Sequence, residues 1–159
     1  MAAVENTLQL LHELIQTCKD GETGYAHAAG VAEEPALKTY FSEQSLDRSR
    51  FVKELLGAAE DLGYKPEVSG TIEGALHRVW FEAKADLGLG DQAVLNSVEQ
   101  GEDAAKKAYS KALEADLPPE VRQMIHNQSI SVYAAHDYVR DLRDKRVPRE
   151  SAADTDKAA

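Results

Sequence analysis

Residues 8–29 read LQLLHELIQTCKDGETGYAHAA, and this stretch decides the fold. Its apolar side falls at Leu8, Leu11, Ile15 and Cys18, passes through Glu22, and resumes at Tyr25 and Ala29. The steps alternate between three and four residues, the spacing of a helix face packed against other helices. Glu22 sits in the middle of that face. A lone carboxylate there is costly to bury, so a metal ion, an arginine or a proton has to meet it.

Working outward, the first helix is expected from about Val4 to Ala29, with Gly30 as its stop. After a short connection, Pro35 suits the first turn of a second helix that reaches about Leu62 and ends at Gly63. Its apolar positions are Leu37, Phe41, Phe51, Leu55, Ala58 and Leu62, and the stripe passes through Gln44 and Arg48. Tyr64 to Gly90 is a long, glycine-broken connection in which Thr71 to Leu87 carries helical spacing at Ile72, Leu76, Trp80, Ala83 and Leu87. A short helix lying across the bundle is expected there, anchored by Trp80.

A third helix is expected from Asp91, read as its cap, to about Asp116. Its stripe is Leu95, Val98, Glu102, Ala105, Tyr109 and Ala112, so a glutamate again holds a core step, with Glu99 one turn earlier on the flank. Pro118 and Pro119 stop that helix and open a fourth, which carries Val121, Ile125, Gln128, Val132, Ala135, Val139 and Leu142 with His136 beside them. Pro148 marks the latest end of the fourth helix. Residues 1–147 are therefore expected to form one domain and 148–159, which lack large apolar side chains, a disordered tail.

The formal net charge of -10 over 159 residues opposes phosphate backbones and anionic lipid, which argues against nucleic-acid binding. No apolar run approaches the roughly 20 residues that span a bilayer. The amino-terminal residues lack a basic region followed by an apolar stretch, so a cytoplasmic location is expected. Cys18 is the only cysteine; it excludes an internal disulfide and a cysteine-based zinc motif and reads as a small core residue.

Four long helices joined short, long, short make an all-α four-helix bundle whose middle connection crosses its length. Counting residues from the turns puts Glu22, Gln44, Arg48, Glu99, Glu102 and His136 near one level of that bundle, at about 1.5 Å of rise per residue. Two readings of this layer compete. In the first, Arg48 pairs with Glu22 and Glu102, while Gln44, Gln128 and tyrosine hydroxyls satisfy the rest. In the second, Glu22, Glu43, Glu99, Glu102 and His136 hold a divalent metal, since carboxylate oxygens with one imidazole suit iron, manganese or zinc. The first is preferred, because Arg48 puts a permanent positive charge where the metal would sit.

The layer and the connectivity resemble the ferritin-like superfamily, in which paired carboxylates and histidines hold two iron or manganese ions. The chain through about residue 146 also resembles a bacterial ferritin-like four-helix-bundle family catalogued as a domain of unknown function. The resemblance rests on Asp20-Gly21-Glu22-Thr23-Gly24-Tyr25, Arg48-Ser49-Arg50-Phe51, Leu76-His77-Arg78-Val79-Trp80 with Lys84, Glu99-Gln100-Gly101-Glu102-Asp103-Ala104-Ala105, and His136-Asp137. It implies the fold and no activity. The chain departs from the di-metal pattern, which wants Glu-x-x-His on two helices. Leu46 follows Glu43 at that spacing and Tyr133 precedes His136, so only Glu99-x-x-Glu102 keeps a two-ligand spacing.

No nucleophile with a neighbouring base and no glycine-rich phosphate loop is present, so no catalytic residue is assigned. The expected function is a non-catalytic bundle, accessory or stress-related. It would need no cofactor and would act through homo-oligomerisation or a protein partner, with Trp80 or Phe81 as the contact. The alternative is a di-iron or manganese binding protein or oxidase.

Overall fold

The computed structural model describes residues 2–64 and 90–158, and the side chains of 3–64 and 90–146. The described residues form four helices and no strand: α1 Ala2–Val31, α2 Pro35–Asp61, α3 Asp91–Glu114 and α4 Pro119–Ala158. The short helix expected over 71–87, together with Trp80 and Phe81, lies outside the described residues.

The boundaries follow local chemistry. Pro35 occupies the first turn of α2, where its missing N–H costs nothing. Gly63, at φ 90°, adopts a left-handed conformation that turns the chain out of that helix. Gly90, at φ 97°, sits at the N-cap of α3, so Asp91 is not the cap. Its carboxylate instead accepts the backbone N–H of Glu33 at 2.7 Å and of Glu34 at 3.0 Å, capping the turn between α1 and α2. At the other end of α3, Arg122 donates to the carbonyl oxygens of Leu113 and Ala115, satisfying groups that a helix terminus leaves open.

The last helix does not stop at Pro148 but runs on to Ala158, across the expected boundary between 147 and 148. A proline inside a helix forfeits one backbone hydrogen bond. Four of the eleven residues after it are alanine, whose helix propensity opposes a break.

Contacts between helices fix their directions. Glu13 pairs with Lys111 and Cys18 with Tyr109, so α1 and α3 are antiparallel. Ser110 meets Tyr133 and Asp103 meets His136, so α3 and α4 are antiparallel too. The ring of Tyr40 lies 4.6 Å from that of Tyr138, and Gln128 reaches the Phe51 carbonyl, running α2 against α4. With α1 antiparallel to α2 across their short turn, α2 and α3 point the same way.

The buried side chains form two apolar clusters. One contains Leu11, Leu14, Phe51, Leu55, Tyr109 and Ile125. The other contains Tyr25, Leu37, Phe41, Leu95, Val98 and Val139. The buried polar residues Arg48 and Glu102 lie at the level between them.

Candidate functional site

On α1 a row of buried positions, Thr7, Leu11, Leu14, Cys18, Gly21, Tyr25 and Ala28, continued by Ala32 just past the helix, steps alternately by four and three. This differs by one residue from the face on which Glu22 was expected. Between Cys18 and Tyr25 the core step falls on Gly21, while the Glu22 side chain stays half-exposed and its backbone carbonyl accepts the Ser45 hydroxyl. Both three-four and four-three spacings connect Cys18 to Tyr25, so periodicity alone does not choose between them. Volume chooses: a methyl group at 21 would lie 3.3 Å from Arg48 Nη1 and 3.4 Å from its Cγ. The absent side chain of Gly21 is the space that Arg48 fills.

Arg48 and Glu102 are 1% and 0% exposed, and Arg48 Nη2 lies 2.7 Å from Glu102 Oε1. The guanidinium carbon sits 5.4 Å from the Tyr25 ring centroid, within cation–π range. Burial acts to lower the Arg48 pKa, but the Glu102 carboxylate overrides it and the net shift is upward. Burial raises the Tyr25 hydroxyl well above its usual range, and the negative charge of Glu102 adds to this. The centre of the bundle is therefore a charge-compensated pair beside a neutral phenol.

A second polar string runs through the adjoining layer. The Tyr109 hydroxyl donates to Gln128 Oε1 at 2.7 Å, Gln128 Nε2 donates to the Phe51 carbonyl at 3.5 Å, and Cys18 Sγ lies 3.0 Å from the Tyr109 hydroxyl. Since Tyr109 spends its proton on Gln128, Cys18 is left to donate. Burial pushes the Cys18 thiol up to about 11. It is a core group held neutral, not a nucleophile.

The remaining residues of the expected layer separate. Gln44 is half-buried on α2, and Glu43 on the same helix is exposed. Glu99 and His136 come together, but on the seam between α3 and α4. His136, 6% exposed, has Asp103 Oδ1 at 2.6 Å and Glu99 Oε1 at 4.0 Å from Nε2, and Asp137 Oδ1 at 3.1 Å from Nδ1. Arg143 pairs with the other oxygen of Glu99. The hydrogen bond from His136 lowers the Asp137 pKa. The expected metal set is thus divided among an exposed position, a half-exposed one, a core ion pair and a seam cluster.

Sequence reasoning passed over Gly21, Asp103, Asp137 and Arg143 as parts of these sites. Asp103 lies four residues after Glu99, and Arg143 seven after His136, the spacings that put side chains on one helical face.

A family model described as a domain of unknown function (DUF2383) matches residues 6–115, well over half of the chain. The chain belongs to that family. No curated protein matches it.

Proposed function

We propose that this member of the family is a ferritin-like helical bundle that works without catalysis, through self-association or a protein partner. The observation that supports this best is the pairing of Arg48 with Glu102 at the centre of the bundle. A ferritin-like di-metal protein lines that level with carboxylates and Glu-x-x-His pairs from its helices. Here the level holds a guanidinium, the carboxylate it neutralises, a phenol and a glycine. Bringing two divalent cations there would set them against a buried arginine that stays protonated at any ordinary pH. Glu22 and Glu43, needed to complete such a cage, are half-exposed and exposed, outside the buried pair. Among the described residues no helix is long and apolar enough to cross a membrane, and a cytoplasmic location belongs to the same proposal.

Elemental mass spectrometry and sedimentation analysis test it, on protein purified without chelator or an affinity-column metal. The reading expects a concentration-dependent oligomer and fewer than two iron or manganese ions per chain. Two such ions per chain, retained by an Arg48-containing core, overturn it and make the protein an oxidase candidate. A strict monomer over the whole concentration range removes self-association and leaves only the partner-binding form.

A further inference from the structure

We infer that the seam between α3 and α4 carries a mononuclear site for a first-row divalent cation of the zinc type, with Glu99, Asp103 and His136 as its ligands. This does not rest on the reading of the bundle centre, and either stands if the other fails.

Three donors from two helices converge. Glu99 and Asp103 are four residues apart on α3, and His136 faces them from α4. One ligand atom from each lies within 4.8 Å of the others. Around a tetrahedral zinc, donors at about 2.0–2.1 Å from the metal stand roughly 3.3 Å from one another. His136 Nε2 is 2.6 Å from Asp103 and 4.0 Å from Glu99, so these two gaps each have to change by about 0.7 Å, and the gap between the two carboxylates, within 4.8 Å, by at most about 1.5 Å to accept the ion. Small rotations of the ring and of the Asp103 side chain, which is half-exposed and free to swing, supply that.

The surroundings match a ligating histidine. Asp137 Oδ1 accepts a hydrogen bond from Nδ1–H at 3.1 Å, which orients the ring with Nε2 toward the two carboxylates. A carboxylate behind the other ring nitrogen is the usual support of a metal-bound imidazole. Arg143 occupies one oxygen of Glu99 and leaves Oε1 toward His136, which sets up a monodentate ligand. Without metal, the contacts to Asp103 and Asp137 are both hydrogen bonds from the ring only if it donates from both nitrogens, because ionised carboxylates only accept. The cation takes the place of the Nε2 proton. Glu99 and Asp103 bring two negative charges to meet its two positive ones. One imidazole with two carboxylates suits zinc and its neighbours more than calcium or magnesium, which prefer oxygen alone. Asp103 lies on the open side, leaving the fourth position to water.

Cobalt(II), a spectroscopic stand-in for zinc, tests the site. Titration of the full chain is expected to give one equivalent of visible absorption per chain, lost on adding Zn2+. His136→Gln and Asp103→Asn are each expected to abolish the band, while His126→Ala, an exposed histidine elsewhere on α4, leaves it intact. Asp137→Asn is expected to weaken binding about 10- to 100-fold while keeping the one-to-one stoichiometry, the effect of removing a residue that only orients a ligand. Circular dichroism establishes that each variant folds. Asp103 is exposed, so Asp103→Asn keeps the test open even if His136→Gln unfolds. Absence of binding at millimolar Co2+, or a band unchanged in Asp103→Asn and His136→Gln, overturns the proposal and leaves the seam as a hydrogen-bonded cluster.

Discussion

Gly21 and Arg48 occupy complementary volumes: a Cβ on Gly21 would stand 3.3 Å from the Arg48 Nη1 that the helix backbone now leaves clear. Glycine in a helix interior costs about 1 kcal/mol relative to alanine, so its presence in α1 needs a compensating gain. Room for a buried guanidinium supplies one. Gly21→Ala is expected to shift stability by less than about 1 kcal/mol, propensity offsetting a displacement of a few tenths of an ångström. Gly21→Leu is expected to cost about 1–3 kcal/mol or more by overpacking. Chemical denaturation checks both, and a Leu variant as stable as the parent means that the guanidinium lies elsewhere.

The partner of Arg48 is Glu102 alone among the two glutamates expected to share it. Removing one member of a buried pair strands the other, at a cost of roughly 3–5 kcal/mol, whereas replacing both with apolar groups is often neutral. Arg48→Met is therefore expected to lower the melting temperature sharply. Adding Glu102→Leu should restore most of the loss, and adding Glu22→Gln should restore none. A double-mutant cycle over all four Arg48 and Glu102 species reads the coupling. Rescue by the Glu22 change instead of the Glu102 change would contradict the geometry.

The helices were legible because their signals are redundant. Every apolar position in the α3 stripe from Leu95 to Ala112 is buried, as is Glu102 among them. Prolines at 35 and 119 mark true helix starts. The pairing of Arg48 with Glu102 also followed from two charges on inner faces of parallel helices. What failed was phase. Cys18 and Tyr25 are seven residues apart, and a helix can pass between them through 21 or 22. A glycine looks like a break and a glutamate like a site, yet the glycine is the core residue. The seam cluster escaped for a different reason: Asp103 and Arg143 lie outside the apolar stripes, and only the facing of α3 and α4 reveals that they share a partner with His136 and Glu99.

The core should be sensitive to alkali. Burial raises Cys18 from 9.0 to about 11 and holds the hydroxyls of Tyr25 and Tyr109 well above 10.0. Each group is neutral in the folded chain and ionises more readily in the unfolded one. The stability they contribute is present below the unfolded values and is lost as pH rises through 9 and 10 toward the folded ones. Titration followed at the phenolate absorbance is expected to show these two tyrosines ionising only together with loss of helical circular dichroism. The Cys18 thiol should react with a thiol reagent at pH 8 no faster than the chain unfolds. Ionisation of all six tyrosines before any helix is lost would show that Tyr25 and Tyr109 are open to water.

Asp91 joins the start of α3 to the turn between α1 and α2, accepting two backbone N–H groups that Pro35 leaves ahead of its helix. Hydrogen bonds to a charged acceptor contribute about 1.5–3 kcal/mol each, with the larger share lost when a donor is left unmet. These donors lie near the surface, where water replaces part of the loss. Asp91→Ala is therefore expected to cost about 1–3 kcal/mol in all, and the charge it removes from the first turn of α3 acts in the same direction. The local signature is more decisive than the global one: amide exchange at Glu33 and Glu34 should accelerate, while the amides around Leu55 in the opposite half of the bundle keep exchange rates set by global unfolding. Asp91→Asn, which keeps one acceptor oxygen, should fall between the parent and the alanine variant. Unchanged exchange at Glu33 and Glu34 would mean that the turn is held by the Glu34–Arg146 pair and not by Asp91.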